Sequence, residues 1–171
     1  MEESLRDGEI ALHLGCGRRY WHGWVNVDMQ GDVDIRCDIR ALELPSVHAD
    51  RIVAVHVLEH FYFWDVAGVI AEWKRVLKSG GSIVLELPDM QKVLSHIMHR
   101  MSKKESPHPR FSWLAIWGDP AYKDPAMCHK WGYTPDDVMR ILQTAGFSGI
   151  RQETPRYHYP QRDMRIVAVK Q

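Results

Sequence analysis

Leu12-His13-Leu14-Gly15-Cys16-Gly17, followed at once by Gly23-Trp24-Val25-Asn26-Val27-Asp28, decides how this chain folds. The first stretch closes an apolar run over residues 9–14 with two closely spaced glycines, the pattern of a strand entering a tight turn. Residues 24–28 form a second short strand and residues 33–36 a weaker third. Only residues 15–23 separate the first two strands, too few for a right-handed crossover with a full helix, so any helix there is limited to about one turn.

Working outward, residues 51–56 are apolar and β-branched, as buried parallel strands are. Val66, Val69, Ile70, Trp73, Val76 and Leu77 then recur at helical spacing and make one apolar stripe. Ser79-Gly80-Gly81 is expected to stop that helix, with a buried strand over residues 82–87 ending at Pro88. Residues 89–104 read as helical, and residues 105–133 as irregular and dense in Pro, Trp, His and Tyr. Thr134-Pro135-Asp136-Asp137 opens a helix with an N-cap, a first-turn proline and acids at the positive end of the dipole. That helix runs to Ala145 and stops at Gly146; residues 147–153 and 164–169 read as the last two strands. The link between them is too short for a helical crossover, so one is expected to be antiparallel. The predicted fold is therefore α/β and Rossmann-like over residues 1–171 as one domain. It has a mostly parallel sheet with one antiparallel strand and helices on both faces.

Composition sets the outer bounds. The chain has 171 residues, is 45% hydrophobic, and balances 22 Lys and Arg against 22 Asp and Glu. A neutral chain lacks the global positive field of non-specific nucleic-acid binders, which argues against a nucleic-acid partner. No apolar run approaches the roughly 20 residues of a membrane span, and the acidic start at residues 1–7 does not read as a signal peptide. Cys16, Cys37 and Cys128 are odd in number and widely spaced, which suits a reducing, cytoplasmic setting better than a disulfide framework. Seven Trp and ten His are the compositional peculiarity.

In such sheets ligands bind outside the carboxyl ends of the strands. Gly15 and Gly17 let backbone approach a ligand closely, and Asp28, ending the second strand, can accept hydrogen bonds from both ribose hydroxyls of a nucleoside. Together with Cys37-Asp38-Ile39, His56-Val57-Leu58-Glu59-His60 and Lys78-Ser79-Gly80-Gly81, these stretches resemble the successive motifs of small class I S-adenosylmethionine-dependent methyltransferases. The resemblance is strong over residues 10–90 and fainter at 129–150, in His129-Lys130-Trp131-Gly132-Tyr133 and Ala145-Gly146-Phe147.

The resemblance implies S-adenosylmethionine as cofactor, S-adenosylhomocysteine as product, and a cofactor site of Gly15, Cys16, Gly17, Asp28, Met29, Asp38, Ile39, His56 and Val57. Gly15 and Gly17 would lie along the methionine part, Asp28 at the ribose, Asp38 and Ile39 at the adenine, and His56 and Val57 beneath the cofactor. The acid that often opens the family's first strand is absent here, since Leu12 and His13 stand in its place. The acceptor is expected to be a small molecule or glycan, methylated on a hydroxyl in preference to an amine. Residues 91–133, with seven Lys or Arg against three acids and five aromatic rings among Phe, Trp and Tyr through Trp131, are expected to close the site. Trp117, Tyr122, Trp131 and Tyr133 are placed on its acceptor side, and His129 is the expected base.

Two other readings stand beside this one. A chain of this fold could bind cofactor without turnover and serve as a subunit for another protein. Alternatively, His56-x-x-Glu59-His60 fits the inverted zinc-protease signature H-x-x-E-H, which needs both histidines on one helical face. His56 ends a strand and no third ligand is evident in the sequence, so no metal is expected. A dinucleotide oxidoreductase is disfavoured, because the third glycine of G-x-G-x-x-G falls at Tyr20.

Overall fold

The computed structural model describes residues 4–171, so the first three residues of the acidic stretch lie outside the described residues. Seven strands form one sheet: β1 (Ala11–Leu14), β2 (Val25–Asp28), β3 (Ile35–Arg36), β4 (Ala49–Val55), β5 (Leu77–Pro88), β6 (Phe147–Glu153) and β7 (Asp163–Lys170). Their order is β3-β2-β1-β4-β5-β7-β6. The first five run parallel, and β7 is antiparallel to both β5 and β6. The strand order reverses at β1, between β2 and β4, and this is where a cleft opens in doubly wound sheets.

Alternation along each strand divides the core into two faces. Leu12, Leu14, Ile52, Ala54, Ile83 and Leu85 face one side, where α1 (Val66–Val76) lays Val66, Val69, Ile70, Trp73 and Val76 against them. The amphipathic helix α4 (Pro135–Thr144) adds Val138 and Leu142 to the same cluster. Trp73 is fully buried, and its indole N–H donates to the Ile39 carbonyl at 2.8 Å, tying α1 to the loop after β3. The opposite face presents Ala11, Val53, Val55, Val84 and Val167, covered by Trp21, Trp24 and Tyr157 from connecting segments. The link between β1 and β2 holds no helix, as its length requires. Trp21 takes up the covering role instead, with its ring stacked at 3.7 Å on the buried His13.

One expected boundary moves. Helix α1 ends at Val76, and Leu77 is already extended and paired with Ala49. Ser79-Gly80-Gly81 is an irregularity inside β5, where pairing jumps from Ala49↔Leu77 to Arg51↔Ser82. Gly80 has φ +77°, and a Cβ on Gly81 would stand 2.8 Å from the Lys78 carbonyl oxygen. The glycines therefore serve a bulge and not a helix stop.

After β5 the chain leaves the sheet at its carboxyl edge. Asp89 caps α2 (Met90–Ser102), accepting from the Gln91 amide at 2.9 Å. The segment read as irregular is a string of single turns, Pro109–Phe111, α3 (Trp113–Trp117), Pro120–Tyr122 and Pro125–Met127. Asp119 and Asp124 open two of these, each accepting from the amide two residues on at 2.9 Å. The chain returns to the domain through a Tyr133–Asp89 bridge and enters α4 through a Thr134–Asp137 capping box. No helix among the described residues is long and apolar enough to cross a membrane.

Candidate active site

Two adjoining cavities lie at the carboxyl edge. The first, of about 330 Å³, is bounded by Gly15, Gly17, Asp28, Met29, Asp38, Ile39, His56 and Val57, with Tyr62 and Met127 opposite. The second, of about 440 Å³, lies between the Gly15–Arg19 loop, the α3 region and the segment before β7. Gly15, Gly17, His56, His60 and Met127 border both. Cys16 faces the second cavity, and burial, reinforced by the Asp28 charge, pushes its thiol up to about 11.

The glycine loop is built for close approach. Gly15 has φ +65°, and a Cβ there would meet Val57 Cγ2 at 2.5 Å. Gly17 has φ +56° with open space where its Cβ would be, so its requirement is conformational, and it borders both cavities. The Gly17 amide donates to Asp28 Oδ2 at 2.9 Å and the Gln30 amide to Oδ1 at 3.1 Å. The carboxylate thus clamps the loop while keeping a lone pair on each oxygen. Asp38 is less free than its expected role requires. The Arg40 Nε donates to Oδ2 at 2.9 Å and Nη2 to the same oxygen at 2.6 Å, and this ion pair holds the Asp38 carboxyl below its usual range.

His56 closes β4 in the left-handed region, φ +56°, an unfavourable conformation for a non-glycine residue. What holds it there is a buried ionic string. Its Nδ1 lies 3.0 Å from Glu59 Oε1 and its Nε2 3.2 Å from Asp163 Oδ2, and Asp163 is clasped in turn by Arg162. Burial alone would lower the His56 pKa, but the bonds to Asp163 and Glu59 outweigh it and raise the group to about 9. By the same pairing Glu59, which burial would push up, is held down at about 2. His158, with its ring 4.3 Å from that of His56, is pressed down to about 3 by burial and then by the His56 charge.

His129 borders the second cavity, 114 residues after Gly15 in sequence but beside it in space. Its Nδ1–H donates to the Ala115 carbonyl at 2.9 Å, which leaves Nε2 as the lone-pair nitrogen, 3.9 Å from Glu59 Oε1. Burial, the largest cause, lowers its pKa, so the imidazole is neutral at pH 7. Amides of Lys130 and Trp131 donate to the Glu59 carbonyl, so the same residue that pairs with His56 also anchors the returning lid.

The aromatic residues expected on the acceptor side separate. Tyr122 borders the second cavity. Trp117 borders a shallow surface hollow with Trp113, and Trp131 packs on Phe63 at 5.1 Å; neither borders the two cavities. Tyr133 is only 1% exposed, in the main core beneath the lid, and cannot touch an acceptor.

Donor atoms that could share a metal ion fall into two groups, His56 with His158 and Asp163, and Glu59 with His60 and His129. The two histidines of H-x-x-E-H are thus in different groups, as the end of β4 at Val55 dictates. A third donor does exist for each, brought by the fold from distant sequence. In the first group Arg162 Nη2, 3.0 Å from His56 Nε2, already supplies the positive charge.

An open parallel sheet with a reversed order at β1, an antiparallel β7, and a glycine loop facing a carboxylate at the next strand end defines the class I methyltransferase fold. Residues 25–85 match the model of a methyltransferase-domain family. Among solved structures, a SAM-dependent methyltransferase from Methanosarcina mazei superposes with TM-score 0.65 at 15% identity, covering 97% of this chain and 94% of that one. One from Archaeoglobus fulgidus gives 0.62 at 16% identity over 95% and 86%. The Burkholderia thailandensis 1,6-didemethyltoxoflavin-N1-methyltransferase, with 1,6-didemethyltoxoflavin and S-adenosylhomocysteine bound, gives 0.63 at 12% over 94% and 70%. No curated protein matches the chain. At these identities the structures establish the fold. The chain thus has the class I methyltransferase fold, and residues 25–85 carry the likeness to the methyltransferase-domain family.

Proposed function

We propose that the first cavity holds S-adenosylmethionine and the second a small-molecule or glycan acceptor, methylated on a hydroxyl with His129 receiving its proton. The observation that carries this reading is the shared wall. Gly15, Gly17, His56, His60 and Met127 border both cavities, so a cofactor in one meets an acceptor in the other at a single junction.

The residues of the first cavity fit the cofactor. The Cβ-free edge of Gly15 and Gly17 suits the methionine part, the spare lone pairs of Asp28 suit the ribose hydroxyls, and Ile39 gives an apolar wall for the adenine. Asp38 can serve the adenine amino group only by sharing its carboxylate with Arg40. His56 and Val57 form the floor. Cys16, turned to the second cavity, contributes backbone to the loop.

The cofactor supplies an electrophilic methyl group on a sulfonium. Everything else falls to the protein: holding the acceptor oxygen in line, excluding water, and taking up a proton. His129 meets the last requirement in its resting state. It is neutral, its tautomer is set by Ala115, and its free Nε2 faces the Glu59 carboxylate, which would stabilise the imidazolium formed when the proton arrives. An amine acceptor would not need this arrangement. Incubating the protein with S-adenosylmethionine and a panel of sugars, sugar acids and small phenols, and measuring S-adenosylhomocysteine, tests the reading. Turnover on hydroxyl acceptors supports it. Tight cofactor binding with no turnover on any acceptor would favour a binding subunit instead.

A further inference from the structure

The wall of the second cavity is rich in guanidinium groups. Arg18, Arg19, Arg110 and Arg162 border it against a single acid, Asp119, and of the four Arg162 is paired with the buried Asp163. Overall the chain is neutral, so this is a local concentration and not a global bias. Several arginines sit on carboxylates, as Arg40 does on Asp38, Arg75 on Glu72, and Arg162, on this wall, on Asp163. Arg110 and Arg18 do not. Arg110 is oriented by a hydrogen bond from Nη1 to the Tyr159 hydroxyl at 2.9 Å, and its own carbonyl accepts from Arg162 at 3.2 Å. The Arg18 guanidinium lies over the Tyr122 ring, 5.8 Å from its centroid. Both charges are thus positioned by aromatic side chains, and most of their guanidinium donors have no partner among the described residues. The buried histidines register the same field. Burial depresses His158 and His13 first, and the nearby Arg19 charge lowers both further.

We propose that the acceptor is an anion, whose carboxylate or phosphate is held by Arg110 at the mouth of the second cavity. A planar guanidinium already fixed by a phenol loses little freedom on pairing with such a group, and offers it two parallel donors. Seating the anion there leaves the reacting hydroxyl deeper in, toward His129. This inference rests on the assignment of the second cavity to the acceptor. S-adenosylmethionine brings a carboxylate of its own, and the loop arginines Arg18 and Arg19 are the ones placed to meet it. Arg110, on the opposite wall, is therefore the discriminating residue.

The test uses the protein saturated with S-adenosylhomocysteine, so that the cofactor's carboxylate seat is filled. Glucuronate, glucose 6-phosphate and neutral glucose are then titrated by calorimetry or ligand-observed NMR. The anions should bind at least about tenfold more tightly than glucose, with an affinity that falls as salt rises. Arg110→Gln should abolish that preference while S-adenosylhomocysteine affinity stays within about twofold, and Arg110→Lys should restore part of it. Equal or absent binding of anionic and neutral probes overturns the proposal, as does an Arg110→Gln protein that keeps the preference. Anion binding seen only without S-adenosylhomocysteine also overturns it, since the anion then occupies the cofactor's seat. Failure of S-adenosylhomocysteine itself to bind is read in the first titration and would instead count against the assignment of the first cavity.

Discussion

Replacing Asp28 with alanine removes two things at once, and the structure allows them to be separated. The carboxylate accepts from the Gly17 and Gln30 amides, and it retains one lone pair per oxygen for a ligand. Charge-assisted bonds to a partly buried ligand are worth about 1–3 kcal/mol, so S-adenosylhomocysteine should bind roughly 5- to 150-fold more weakly. The loop bonds are exposed, and their loss should cost the free protein about 1 kcal/mol or less, because water replaces the acceptor. Asp28→Asn keeps one acceptor oxygen but presents a donor in place of the other, so its affinity should fall between wild type and alanine. Calorimetry with S-adenosylhomocysteine gives the affinities, and thermal unfolding without ligand gives the loop contribution. A folded Asp28→Ala protein with unchanged affinity would refute the placement of the ribose, and with it the orientation of the cofactor in the first cavity.

Three further outcomes are expected. His129→Ala should keep near-normal S-adenosylhomocysteine affinity while turnover falls by about 10²-fold or more; a matching loss of thermal stability would identify His129 as a pin that holds the lid through Ala115. The His56 string makes stability depend on pH. Because His56 is raised from 6.5 to about 9, its contribution is complete below pH 6.5 and lost as pH rises through 9, whereas the Glu59 contribution is complete above 4.5 and lost as pH falls through 2. Melting temperature should therefore decline between pH 6.5 and 9, and this decline should vanish in His56→Asn, which tolerates the left-handed backbone; an unchanged slope in that variant would contradict the pairing. Elemental analysis of protein purified without chelator should find well under one zinc per chain, since the His56 imidazolium at 3.0 Å already neutralises Glu59; a full equivalent that is lost in His60→Ala would make Glu59, His60 and His129 a metal site.

What could be read from the sequence was local. The strand-turn-strand at Leu12–Asp28 was legible because its period, its glycines and its terminal acid lie within 17 residues. So was the N-cap at Thr134, which needs only the four residues Thr134 to Asp137. The end of α1 was not, because Leu77 fits the helical stripe equally well and only pairing with Ala49, on another strand, makes it extended. Tyr133 was misplaced for a related reason: an aromatic residue in a polar, aromatic segment looks the same from sequence whether it faces in or out. The residues missed altogether, His158, Arg162 and Asp163, had a signal within reach. Once the last strand is antiparallel, its first residue must lie at the carboxyl edge of the parallel ones, and the chain just before it must border the ligand cleft. Tyr157-His158-Tyr159-Pro160-Gln161-Arg162-Asp163 occupies that stretch, and Asp163 pairs with Pro88 at the end of β5. The strand direction thus brings a short polar link to the wall of the second cavity, and ion pairs that steady His56 come from a place where no motif points.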